Sequence, residues 1–310
     1  MTRPPKLLLV LVFVFVGASN PIAIKFALES GWPVLPLGIA RMGSIGLFFL
    51  LWVLAVREHP IGNSGAGRRW SLMAAGCKGI GGIAFYLALL WAPANRVIVL
   101  SAFSPVVALL MIDRMLENEK VERRQWLGVG TSFLGLVLLL SLRGELAAAC
   151  SESWRMTLWG DACMIVSVIF HTAMVVYEKK AILEGVNPRQ LIVSTNLVSV
   201  AVFVVIAFSV DDSGFGSIPA TAPAVWAFLY LISIVGVFFF YYRRWMVGVL
   251  DLGYIASFSH LGRAIAMVYA AVLLGETIPL SSLGAFALIL LGSMIANRSG
   301  SSLVRVSPPN

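Results

Sequence analysis

Leu100-Ser101-Ala102-Phe103-Ser104-Pro105 is followed, fourteen residues after the proline, by Glu119. The outline returns late in the chain as Ser257-Phe258-Ser259-His260-Leu261-Gly262, with Glu276 fourteen residues on. In each copy an apolar helix ends at an acidic residue and a second apolar helix with spaced glycines follows. Gly128 and Gly135 mark the first copy, Gly284 and Gly292 the second. One unit written twice predicts two structural halves. Outward from these copies the chain reads as apolar runs of about 20 residues, the length a membrane-spanning helix needs. The spans are 7–27, 34–56, 70–92, 96–116 and 125–143, then 159–181, 189–210, 224–242, 252–274 and 280–297. The expected fold is an all-α integral membrane protein of ten transmembrane helices, arranged as two inverted five-helix repeats. The repeats cover 1–145 and 150–300, with 301–310 as a cytoplasmic tail.

Composition supports the bilayer as solvent. The 310 residues are 59% hydrophobic and only 12% charged, and the mean hydropathy is +0.90. A soluble domain is about half apolar and a quarter charged. Backbone amides find no water in hydrocarbon, so spanning segments are helices or closed barrels. The runs are continuous rather than alternating, which selects helices. The net charge is +8, but the basic residues lie mostly in short links, so a nucleic-acid partner is not expected. Cys77, Cys150 and Cys163 show no metal spacing and no even-numbered framework. Neither a metal nor a cofactor is expected.

Lys and Arg counts set the orientation. The side with the N-terminus carries fifteen: Arg3, Lys6, Arg57, Arg68, Arg69, Lys120, Arg123, Arg124, Lys179, Lys180, Arg189, Arg243, Arg244, Arg298 and Arg305. The other side carries three: Arg96, Arg143 and Arg155. The chain is therefore expected in the cytoplasmic (inner) membrane with both termini cytoplasmic. Arg3 and Lys6 ahead of an apolar run, with Gly17-Ala18-Ser19 behind, resemble a cleavable signal. The run continues past Ser19 to Ala27, and the repeat requires a first helix there. Five helices per half is an odd number, so the second half enters from the opposite face. Inverted repeats suit transport, because rocking one half on the other exchanges two related states. No nucleotide-binding loop is present, so transport is expected to be secondary.

Further segments resemble the EamA-type transporters of the drug/metabolite transporter superfamily. They are Ser19-Asn20-Pro21-Ile22-Ala23-Ile24-Lys25, Ile39-Ala40-Arg41, Phe85-Tyr86-Leu87-Ala88-Leu89, Phe103-Ser104-Pro105-Val106-Val107-Ala108 with Glu119, and Leu274-Gly275-Glu276. The resemblance covers nearly the whole chain. It implies ten helices, an inverted repeat, and export or exchange of metabolites. Two departures stand out: Glu117-Asn118-Glu119 replaces the usual Leu-Gly-Glu of the first half, and His260 and Arg263 occupy positions that are usually apolar or proline.

Charges inside a bilayer are costly, about 2.5–3.5 kcal/mol at a helix centre on insertion scales, and usually face a cavity or a partner. Lys25, Arg41, Lys78, Arg114 and Arg263 fall inside the spans. Lys25 and Arg114 lie near helix ends and can snorkel. Arg41, Lys78 and Arg263 sample three depths, as residues lining a solute path would. Helix locking by carbonyls or a carboxylate is the competing reading. With His260, Asn20 and Ser104 they form the expected substrate-binding set. His260 and Arg263 share a helix face with Ser257. His171 and His260 are also candidates for proton coupling, because imidazole titrates near neutral pH. Asp161 and Glu178, at opposite ends of one helix, are weaker candidates, expected at the interfaces. Pro21 and Pro105 remove backbone donors and should kink their helices beside Ser19, Asn20 and Ser104. Gly76, Gly79, Gly81 and Gly82 should let a helix or ligand approach closely. Trp91, Tyr86, Tyr254 and Tyr269 line the pore or simply pack. The expected substrate is a small solute bearing a carboxylate, such as an amino acid. Arg263 should be its main partner, since guanidinium can hold a carboxylate by two parallel hydrogen bonds. A homodimer is compatible with the sequence. An intramembrane enzyme or a passive scaffold is the alternative function, but no nucleophile–base pair, His-Glu-x-x-His or Gly-x-Ser-x-Gly is present.

Overall fold

The computed structural model describes residues 6–60, 64–101, 103–115, 123–141, 152–209, 219, 221–249, 262–263, 265–266, 268–275 and 280–297. Among these there are helices and no strands. Helices α1 (Lys6–Glu29), α2 (Val34–Ala55) and α3 (Gly65–Trp91) lead into two short ones, α4 (Ala94–Ser101) and α5 (Ser104–Met115), and then α6 (Arg123–Ser141). The second half opens with α7 (Glu152–Leu183) and α8 (Pro188–Ser209). It continues through α9 (Ala222–Tyr230), a π-helical stretch Leu231–Phe239 and α10 (Phe240–Val249), which run on as one rod. Helical residues within 262–273 form α11, and α12 is Leu280–Asn297. Six of the described helices are long and apolar enough to cross a membrane: Leu11–Glu29, Val34–Ala55, Gly65–Trp91, Met156–Leu183, Pro188–Ser209 and Ala222–Val247. Phe208, Trp226 and Leu127 stand well exposed on them and on α6, as side chains facing lipid would; a protein surrounded by water seldom shows so much contiguous apolar surface.

Four sequence expectations change. The span 96–116 is two helices, α4 ending at Ser101 and α5 opening at Ser104; Pro105 has no N–H to give to the carbonyl of Ser101. The span 224–242 runs on to Val249, so Arg243 and Arg244 belong to a helix instead of a loop, and Arg244 is buried. Arg96, expected at the outer end of the span 96–116, is buried in α4. Glu178, expected at an interface, is wholly buried.

The helix ends repeat between the halves. After α1, Gly31 sits at φ 97° while Trp32 N–H donates to Ala27 O. After α7, Gly185 sits at φ 84° while Val186 N–H donates to Ala181 O. Both are glycine-closed ends of one type, and only glycine adopts that backbone without strain. A proline follows at Pro33 and again at Pro188, restarting the chain as α2 and α8.

The packing repeats as well. α3 lies along α7 and α8, α2 along α8, and α6 along α12, while α1 and α2 rest on the π-helical stretch. Exchange α1 with α7, α2 with α8, α3 with the α9–α10 rod and α6 with α12. The α3–α7 contact then becomes the rod on α1, and α3–α8 becomes the rod on α2. The α2–α8 and α6–α12 contacts map onto themselves. Close approach depends on missing side chains. A Cβ on Gly81 would come within 2.9 Å of His171 Nδ1, and one on Gly79 within 2.9 Å of Val202. Gly76, expected to act likewise, has nothing within 4 Å of that position.

Candidate functional site

Arg41 is the first of the buried charges. It leaves α2 one helix from Asn20, whose Oδ1 accepts from Nη2 at 2.8 Å, and Tyr86 Oη accepts from Nη1 at 3.2 Å. Tyr86 is itself buried, fixed here as a partner of Arg41. Arg41 Nε has no hydrogen-bond partner among the described residues. Lys78, from the middle of α3, donates to Asn196 Oδ1 at 2.6 Å. That amide is oriented by its own helix: Asn196 Nδ2 donates to Ile192 O at 2.8 Å, which turns the oxygen toward the ammonium. Arg244, from α10, donates to Thr195 Oγ1 at 2.9 Å. Thr195 can accept because its proton goes to Leu191 O at 2.6 Å.

These three cations surround one ring. Lys78 Nζ lies 4.8 Å from the centroid of Phe240, Arg41 Cζ 5.5 Å and Arg244 Cζ 5.8 Å. An aromatic face attracts cations through its quadrupole, and more strongly once they are desolvated. Full charges are nonetheless costly to bury without an opposite charge. The described carboxylate in the cluster is Glu178: Oε1 lies 2.6 Å from Arg244 Nη2 and Oε2 accepts from Arg243 Nη2 at 2.5 Å. Lys78, Arg41 and Arg244 meet on the Phe240 ring, and Arg244 and Arg243 meet on Glu178, so the five stand together. Arg243 and Arg244 thus share one described carboxylate, with Lys78 and Arg41 standing beside them on the Phe240 ring.

Beside the cluster is a cavity of about 280 Å³. Its walls are apolar on α1 and α4, with Phe13, Val14, Gly17, Ala18 and Pro21 facing Val97 and Ile98, and Phe85 and Phe239 adding rings. Its polar lining comes from Arg243, Arg263 and Ser101. Arg263 donates to Ser101 Oγ at 3.2 Å and to Ser104 Oγ at 2.5 Å. Ser101 sends its own proton to Ile98 O, leaving its oxygen to accept. The break between α4 and α5 is what brings both hydroxyls to Arg263. Such an arrangement can seat a small anion with an apolar body, the cavity holding the body and the guanidinium groups the charge.

The residues expected from sequence thus divide. Arg41 with Asn20, and Lys78, stand at the Phe240 cluster; Arg263 and Ser104 stand at the cavity. His260, Tyr254 and Glu276 lie outside the described residues. His171 Nδ1 lies 3.0 Å from both the hydroxyl oxygen and the carbonyl oxygen of Ser167, one turn back on its own helix. Its ring meets Phe85 edge-on. Lys25 caps the end of α3, donating to Leu89 O at 2.8 Å. Sequence reasoning ranked Glu178 only as a weaker candidate and missed Arg243, Arg244, Thr195 and Asn196. The available signal was Arg243-Arg244 so close behind a long apolar run, with Glu178 ahead of Lys179-Lys180 on another.

Comparison with known proteins bears on the family. No curated protein matches the chain. A solved structure, described only as a crystal structure of a protein, is 17% identical, with 93% of this chain and 95% of that one covered and a TM-score of 0.65. At that identity it shows a shared fold alone. The model of the EamA-like transporter family matches twice, over residues 5–141 and 158–298. With two family repeats spanning nearly its whole length and apolar helices long enough to cross a bilayer, this multi-pass membrane protein belongs to the EamA-like transporter family, within the drug/metabolite transporter superfamily.

Proposed function

We propose that the protein is a secondary transporter that exports or exchanges small carboxylate-bearing metabolites, amino acids or related solutes, across the cytoplasmic membrane. The observation that carries this reading is the charge imbalance: among the described residues Arg243 and Arg244 share Glu178, with Lys78 and Arg41 around the adjoining Phe240 ring, beside an apolar cavity that Arg243 and Arg263 line. A substrate anion would be drawn to this surplus of positive charge, and the preformed guanidinium forks would orient it. Arg263, with Ser101 and Ser104 behind it, holds the carboxylate; Arg41 and Lys78 keep the path beyond the cavity attractive to anions.

The paired packing supports alternating access. In this reading the halves 1–145 and 150–300 are two inverted five-helix repeats, ten helices in all, and both termini are cytoplasmic. Rocking one half on the other would expose the cavity to either side. The test is uptake by proteoliposomes of a panel matched in shape: amino acids, their carboxamides, and the corresponding amines. Saturable uptake of the carboxylates, lost in the carboxamides, is the expected result. Uptake confined to neutral or cationic members would overturn the anion reading. No uptake of any member would favour the intramembrane enzyme or scaffold.

A further inference from the structure

We propose that Glu178 is a built-in competitor for Arg243, displaced by the incoming carboxylate and protonated as it leaves; this rests on the anion reading above. Arg243 joins two places. It lines the cavity, and its Nη2 donates to Glu178 Oε2 at 2.5 Å. The Arg243 side chain keeps 20% of its exposure, whereas Glu178 keeps none. The other oxygen of Glu178 faces Arg244, which is anchored separately on Thr195. So one side of Glu178 is fixed and the other is shared with the cavity.

A carboxylate entering the cavity approaches Arg243 from the open side. Two carboxylates on one guanidinium repel, which favours a proton on the buried one once its bond to Arg243 is lost. The native carboxylate then gives up its bond to Arg243 and takes a proton from hydronium, which leaves as water. Anion and proton are bound together, so the cluster gains no net charge and the two would travel in the same direction. The charges acting on Glu178 are those of Arg244, Arg243 and Lys78. On its own helix His171, Lys179 and Lys180 are titratable or charged. α8 offers the uncharged Thr195 and Asn196 in this region. Arg96 on α4 is engaged by Asp161, and Arg114 on α5 is exposed.

The experiment is benzoate binding to the purified full chain in weakly buffered detergent solution, read by calorimetry and by a pH indicator. Benzoate suits the cavity, being one carboxylate on an apolar ring. In the wild type, binding should take up about one proton per benzoate, and affinity should fall about tenfold for each pH unit of increase while Glu178 starts ionised. Glu178→Gln should bind at least as tightly, take up no proton, and lose the pH dependence. Because that variant buries one more uncompensated cation, Glu178→Gln/Arg244→Gln, which restores the charge balance, should give the same loss of proton uptake. His171→Gln should retain it. Proton uptake that survives in either Glu178 variant, that vanishes in His171→Gln, or that is absent from a wild type that binds benzoate overturns the proposal. A wild type that binds no benzoate instead overturns the anion reading beneath it.

Discussion

Helix α7 carries two buried carboxylates in opposite circumstances. Near its start Asp161 meets Arg96, whose Nε donates to Oδ1 at 2.7 Å and to Oδ2 at 2.9 Å, with Nη2 also on Oδ2. One acid faces one base through a fork that fits it, and the pair fastens α4 to α7. Near the end of the same helix Glu178 faces Arg243 and Arg244, with Lys78 close by. The first pairing is closed. The second, among the described residues, leaves positive charge over, next to a cavity. A buried ion pair is weak evidence of net stabilisation, because desolvation offsets attraction, but removing one partner of a balanced pair strands the other. The contrast separates a fastener from a binding site, although both read as Asp/Glu plus Arg.

The largest expected effect tests the fastener. Asp161→Asn removes the carboxylate that Arg96 grips by its fork and should destabilise the protein by about 3–5 kcal/mol in detergent thermal melts. Arg96→Met/Asp161→Leu should recover most of that loss. A single variant that melts like the wild type would erase the distinction between the two carboxylates.

On the site side, Arg263→Ala should abolish benzoate binding while the melting temperature stays near that of the wild type. Arg263→Lys keeps the charge but not the fork, so binding should weaken by about 1–3 kcal/mol, roughly the worth of a charged hydrogen bond. Normal binding by the alanine variant, or a collapse of its melt, would make Arg263 a helix lock and move it to the fastener class.

Two glycines of α3 sharpen the comparison at smaller scale. Gly81→Ala forces a methyl against His171 Nδ1 and should cost about 1–3 kcal/mol, the usual penalty of overpacking. Gly76→Ala meets nothing within 4 Å and should stabilise by about 0.5–1 kcal/mol, because glycine is the poorer helix former. Paired melts that failed to show opposite signs would break the claim that α3 and α7 meet closely at Gly81.

Much of the fold is legible in the amino-acid order, since bilayer thickness and backbone hydrogen bonding leave little freedom. Apolar runs of helical length, punctuated by Gly31 and Pro33 or Gly185 and Pro188, locate the long helices. The recurrence around Ser104 and Ser259 marks the two family repeats. Arg41, Lys78 and Arg263 stand out because charge inside an apolar run is costly wherever it falls. Only the tertiary structure decided what each charge meets. The run containing Ser104 breaks into α4 and α5, which sets Ser101 and Ser104 on Arg263. The rod of α9 and α10 outlasts its apolar stretch, so Arg243 and Arg244 turn inward to a carboxylate 65 residues from Arg243 in sequence. Hydropathy reports the average preference of a segment for lipid or water. The partner of a buried side chain depends on which helices lie together, and that is set by packing between residues far apart in the chain.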